Sequence, residues 1–174
     1  MDGLVPFGGS GYWLDFALLF LGRGADLVST WIATPRLLLE ANPLARRLGW
    51  RGGIIVNLLA CAVFAVWPLP SVMIVTTSLL VAAHNLQSAW LMRALGEAAY
   101  RTWIAGQLTR ASLPLYLGCL LGRTVLVAAV GAALVGFSHF ALVPLAVGAG
   151  IVTYAVAVAF YTLLSVWRLR RISS

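Results

Sequence analysis

Asp26, Glu40 and His84 are the groups in this chain best suited to chemistry. Two carboxylates and an imidazole could hold a divalent metal ion and leave a coordination position for water. No dense ligand motif such as HExxH joins them, and each comes from a different segment. Asp26 shares an otherwise apolar run with Arg23 and with Thr30, one helical turn further on. Ionisable side chains at membrane depth are costly, face the protein interior, and pair or work there, so this run is the first candidate site. Arg123 is a second cation, isolated in a later apolar span, and Asn85 adds an amide beside His84. Asp15 lies several turns from Asp26 on the same helix, too far for two carboxylates to share a proton.

The elements that carry these residues belong in a bilayer. With 61% apolar and only 10% charged residues, the chain cannot be an ordinary soluble domain, whose charged fraction is about 25%. The net charge of +7 comes from arginines, with no lysine, and they fall between apolar spans. That placement points to lipid headgroups and topology rather than nucleic acid. Cys61 and Cys119 sit in separate apolar spans without a CxxC and are read as small buried hydrophobes. The start, MDGLVPFGGSGYW, has no basic n-region and is not read as a signal peptide.

Five spans are expected, at about 11–33, 54–69, 72–95, 113–137 and 141–167. The second is the shortest, with Pro68 and Pro70 read as its abrupt end. Between the first two spans, Asn42-Pro43 predicts a helix start, with asparagine as N-cap and proline in the first turn, so LARRLGW is expected to form a short interfacial helix. A second interfacial helix is expected within 96–111, where Tyr100, Trp103, Ile104 and Leu108 recur against Glu97, Arg101 and Arg110. Ten of the twelve arginines fall in the first connection, in the third, and in the tail RLRRISS, all on one face if there are five crossings. The positive-inside rule then predicts that this all-α membrane protein has its N-terminus out and its C-terminus in.

Counting residues from the cytoplasmic ends puts Asp26, Asn57, His84 and Arg123 within about 12 Å of one another in depth, so a single polar cluster is expected in the inner half. Glu40 would close its cytoplasmic mouth. Each member also has an architectural reading. Asp26 could simply neutralise Arg23 or Arg123, His84 could be a hydrogen-bonded core histidine, and Asn57, Asn85 and Ser88 could be bonds between helices. Capping alone accounts for Asn42 and Pro43.

Asp26, Thr30, Glu40-Ala41-Asn42-Pro43 and, two spans later, Asn85 form a pattern that resembles a family of small prokaryotic membrane proteins marked by an Asp, Thr and Glu-x-Asn-Pro signature. The resemblance covers about 22–90. That family has no established activity, so the resemblance supports the choice of residues and implies no reaction.

Three functions compete. One is an intramembrane metal-dependent hydrolase using Asp26, Glu40 and His84. Another is a transporter or lipid-handling protein in which Arg23 and Arg123 attract an anionic group. The third, which requires the fewest steps, is an accessory or assembly component whose polar site can hold an ion or lipid headgroup. Its partners would be membrane lipids, a membrane protein or a second copy. GxxxG at Gly118 and Gly122 would allow close helix approach.

Overall fold

The computed structural model describes residues 3–40 and 42–173, with side chains for 3–40 and 42–168. Met1, Asp2, Ala41 and the side chains of Arg170 and Arg171, which entered the readings above, lie outside the described residues. Among the described residues six helices follow in order: α1 Ser10–Ala33, α2 Pro43–Phe64, α3 Pro68–Leu95, α4 Glu97–Arg110, α5 Leu113–Gly136 and α6 Leu142–Ser173. Among the described residues there are no strands. All but α4 have the length and apolar composition to cross a membrane, as an integral membrane protein requires.

Helix starts follow side-chain chemistry. Asn42 caps α2, its Oδ1 accepting the Leu44 N–H at 2.9 Å, and Pro43 occupies the first turn, where a missing N–H costs nothing. The prolines after the second span act differently from the expectation. α2 already ends at Phe64, and Pro68 opens α3 instead of closing α2. A ring with fixed φ and no N–H suits a first turn as well as it suits a stop. Ser71 secures the corner by donating to the Phe64 carbonyl at 2.8 Å.

Inside α2 the backbone breaks at Gly49, with φ +61° and ψ −171°, a region open essentially to glycine alone. The break separates a short helix over 43–48 from the apolar helix over 50–64. The break falls inside LARRLGW, residues 44–50, so the short helix stops before Gly49 and Trp50 belongs to the apolar helix.

α1 and α3 lie side by side and run in the same direction, since Gly22 meets Val75 and Thr30 meets Asn85. α3 packs next on α6, where the Thr77 hydroxyl donates to the Gly150 carbonyl at 3.0 Å. α6 then crosses α5 where Gly131 faces Gly148. A Cβ on either glycine would fall 2.7 or 2.6 Å from the other's carbonyl oxygen, so only bare backbones allow this approach. Gly118 and Gly122, expected to play that part, have no atom near enough to touch an added Cβ.

α2 is the loosely held member. It runs antiparallel to α1 and buries only Cys61, which joins Tyr12, Leu19 and Ala65 in a small core at the α1–α2 end. Cys119 departs from expectation: it is exposed on α5, because that part of the helix has no neighbour to cover it.

Candidate functional site

Arg23 is the hub of the polar interior. Its Nε donates to Asn57 Oδ1 of α2 at 2.6 Å, and its Nη1 donates to Asp26 Oδ2 at 2.9 Å and to Ser78 Oγ of α3 at 3.1 Å. The spacing of three residues puts Arg23 and Asp26 on one face of α1, so the ion pair forms within the helix. Asn57 is held in turn, its Nδ2 donating to the Gly53 carbonyl at 2.7 Å, which leaves Oδ1 facing the guanidinium. Three of the five guanidinium donors are thus used, and Nη2 has no protein acceptor among the described residues. Of the two arginines that could neutralise Asp26, the geometry selects Arg23.

Two turns nearer the end of α1, Asn85 Nδ2 donates to Ser29 Oγ at 3.2 Å and to Thr30 Oγ1 at 3.1 Å, while Ser29 donates back to the Asp26 carbonyl. Thr30 and Asn85 therefore join α1 to α3.

His84 does not join this cluster. Its Nδ1 lies 3.1 Å from Arg123 Nη2, which also donates to the Tyr154 hydroxyl at 3.2 Å. A guanidinium only donates, so Nδ1 accepts and the ring proton sits on Nε2. The single inner cluster expected from depth therefore divides in two, one part on the α1 side of α3 and the other on the α5–α6 side. Among the described residues, no three of the His, Cys, Asp and Glu side chains come together in a group that could hold a metal ion. Asp26, Glu40 and His84, the set that could have held one, therefore do not form such a group.

Glu40 caps rather than gates. Its Oε1 accepts the Asn42 N–H at 2.8 Å, so the acid and the asparagine together organise the start of α2. The clamp at this end of the bundle is instead Glu97, at the first turn of α4. Glu97 Oε2 accepts the Thr34 hydroxyl at 2.6 Å and the Leu38 N–H at 2.9 Å, and Oε1 accepts the Arg36 N–H at 2.7 Å. These bonds straddle Leu37, which is left-handed at φ +55°. Desolvation pushes the Glu97 carboxyl up, but the Thr34, Arg36 and Leu38 donors and the Arg36 charge outweigh it and hold the carboxyl below its ordinary value. Sequence reading placed Glu97 on a solvated helix face. Its position directly after Gly96, which has φ +78°, was the one local sign that it begins a helix facing the returning loop.

Between α1 and α2 lies a cleft of about 490 Å³. Phe20, Leu27, Ile54 and Leu58 are among its apolar lining, Arg23 and Asn57 are its polar points, and Trp31 and Trp50 frame the end toward the α1–α2 connection. Trp50 is fixed by its Nε1–H, which donates to the Pro35 carbonyl at 2.8 Å, and Arg93 stacks over Trp31 with its guanidinium carbon 5.6 Å from the ring. No family model matches the chain, and neither a curated protein nor a solved structure matches it.

Proposed function

We propose that this chain is an integral protein of the prokaryotic inner membrane, N-terminus out and C-terminus in. In this reading it works as a non-catalytic accessory or assembly component and holds an anionic phospholipid between α1 and α2. The observation that carries the proposal is the cleft itself. α2 stands away from α1 along an apolar wall, and a volume of about 490 Å³ is within the range of sites that hold lipid-sized ligands between helices. Trp31 and Trp50 at one end suit the level where hydrocarbon meets headgroups. Arg36 in the adjoining connection and Arg46, Arg47 and Arg51 in the first turns of α2 favour a phosphate over a neutral headgroup. Arg23, through its Nη2, offers two donors to an acyl-ester or other lipid oxygen that reaches deeper.

The alternatives draw less support. A metal-dependent hydrolase needs Asp26, Glu40 and His84 together, and His84 instead faces Arg123. A proton-coupled transporter needs Asp26 available, and one of its oxygens is engaged by Arg23.

The test uses protein reconstituted in phosphatidylcholine vesicles doped with spin-labelled phosphatidylglycerol or spin-labelled phosphatidylcholine. Severalfold stronger immobilisation of the glycerol lipid, abolished when Leu58→Trp fills the cleft, is the expected result. Equal immobilisation of both lipids, or a preference that survives Leu58→Trp, would overturn the proposal.

A further inference from the structure

Arg123 poses a separate problem. It is exposed on α5, a long apolar helix, and its two contacts, His84 Nδ1 and the Tyr154 hydroxyl, neutralise no charge. Among the described residues no carboxylate lies within ion-pair distance of it. A guanidinium cannot shed its proton, so α5 carries one uncompensated positive charge inside an apolar span. Arg123 is ten residues beyond Leu113, about 15 Å along the helix and so near the middle of a hydrocarbon layer about 30 Å thick. Lipid phosphates do not reach that depth. The side chain, moreover, is turned sideways toward α3 and α6.

The adjoining surface of α5 is bare. Leu115, Gly118, Cys119, Gly122 and Leu126 fall on one helical face, opposite the Gly131 seam with α6, and Arg123 stands at its edge. Leu115 and Leu126 are 65% and 71% exposed, and both glycines front open space, so another backbone can approach closely beside the charge.

We infer that this face of α5 docks a transmembrane helix of a different protein, one carrying a carboxylate at mid-membrane depth that pairs with Arg123. Charge selects the occupant. Among the described residues a second copy of this chain has no suitable acid, because Asp26 is paired with Arg23, Asp15 is buried, and Glu40 and Glu97 are engaged outside the long apolar helices. Two copies meeting on this face would also bring like charges together.

The experiment places labelled full-length protein in phosphatidylcholine vesicles with synthetic Leu/Ala transmembrane peptides whose central residue is Glu, Gln or Leu, and reads association by energy transfer. The Glu peptide is expected to associate about tenfold more tightly than the Leu peptide. Arg123→Leu should bring it down to the Leu level, whereas Arg123→Lys, which keeps the charge, should retain most of the preference. Gly122→Ile, which leaves Arg123 in place, should weaken association by obstructing close approach. Three outcomes would overturn the inference: equal association of the Glu and Leu peptides, a Glu preference unchanged by Arg123→Leu, or association between copies of the chain that the Glu peptide does not displace.

Discussion

Arg23 Nε meets Asn57 Oδ1 at 2.6 Å, and this bond holds α2 against α1 across the cleft at the level where the same guanidinium grips Asp26 and Ser78. Elsewhere the two helices share the Tyr12 hydroxyl donating to the Ala62 carbonyl at 3.2 Å. One residue therefore both neutralises the half-buried acid and ties three helices. Arg23→Leu removes all three bonds and strands Asp26, at a cost of about 3 kcal/mol. Arg23→Leu combined with Asp26→Leu should recover most of that loss, since neither charge is then left alone. Unfolding of the single and double variants in detergent measures this. A double variant as unstable as the single one would mean that Asp26 has a task beyond pairing.

Asn57→Leu is milder. It keeps the ion pair and removes one charge-assisted bond, worth about 1.5–3 kcal/mol. Its distinctive effect is on α2. Hydrogen exchange over 50–64 should accelerate while α1 and α3 stay protected.

Glu97 makes the 34–39 segment sensitive to acid. Its folded carboxyl sits below its ordinary value, so its stabilisation is fully present above the ordinary glutamate value of about 4.3 and is lost as the pH falls through the lower folded value. Amide exchange at Arg36 and Leu38, corrected for intrinsic rates, should therefore rise below about pH 4. Glu97→Gln should show the raised exchange at neutral pH and lose the pH step. A step that persists in Glu97→Gln would assign it to another group.

Gly148→Val tests the α5–α6 seam. A Cβ there lies 2.6 Å from the Gly131 carbonyl oxygen, a backbone atom that cannot swing aside. The helices must part, at a cost of about 1–3 kcal/mol. Gly118→Val, facing open space on α5, should leave the stability of the isolated protein near that of the parent. Thermal unfolding of the two variants in one detergent makes the comparison.

The elements were legible where local chemistry specifies them. Asn42 and Pro43 set the start of α2 through an acceptor oxygen and a missing N–H, and both effects are visible in two letters. Five apolar runs announce five long helices for the same reason, since hydropathy is a sum over residues. The site was legible only in part. Counting turns gives the depth of His84 and Asp26 but not their direction around the bundle, which depends on the order in which helices pack. With α3 lying between α1 and α6, His84 and Asn85, adjacent in sequence, look to opposite sides. Ser78 and Thr34 went unmarked because a hydroxyl in an apolar helix is too common to signal its partner.

Gly49 links the backbone to the cleft. At φ +61° and ψ −171° it turns the chain from the 43–48 helix into the 50–64 helix and places Trp50 where its indole reaches the Pro35 carbonyl. A side chain at this position is strained by about 1–3 kcal/mol, so Gly49→Val should push 43–64 toward one continuous helix. That straightening would carry Trp50 away from Pro35 and change the distance between α1 and α2. Spin labels at Val28 and Leu59, both exposed, should therefore report a shifted separation in Gly49→Val. Immobilisation of phosphatidylglycerol should fall with it. An altered separation with unchanged lipid immobilisation would move the lipid site off the cleft. An unchanged separation would mean that the Arg23–Asn57 bond, and not the glycine, sets the position of α2.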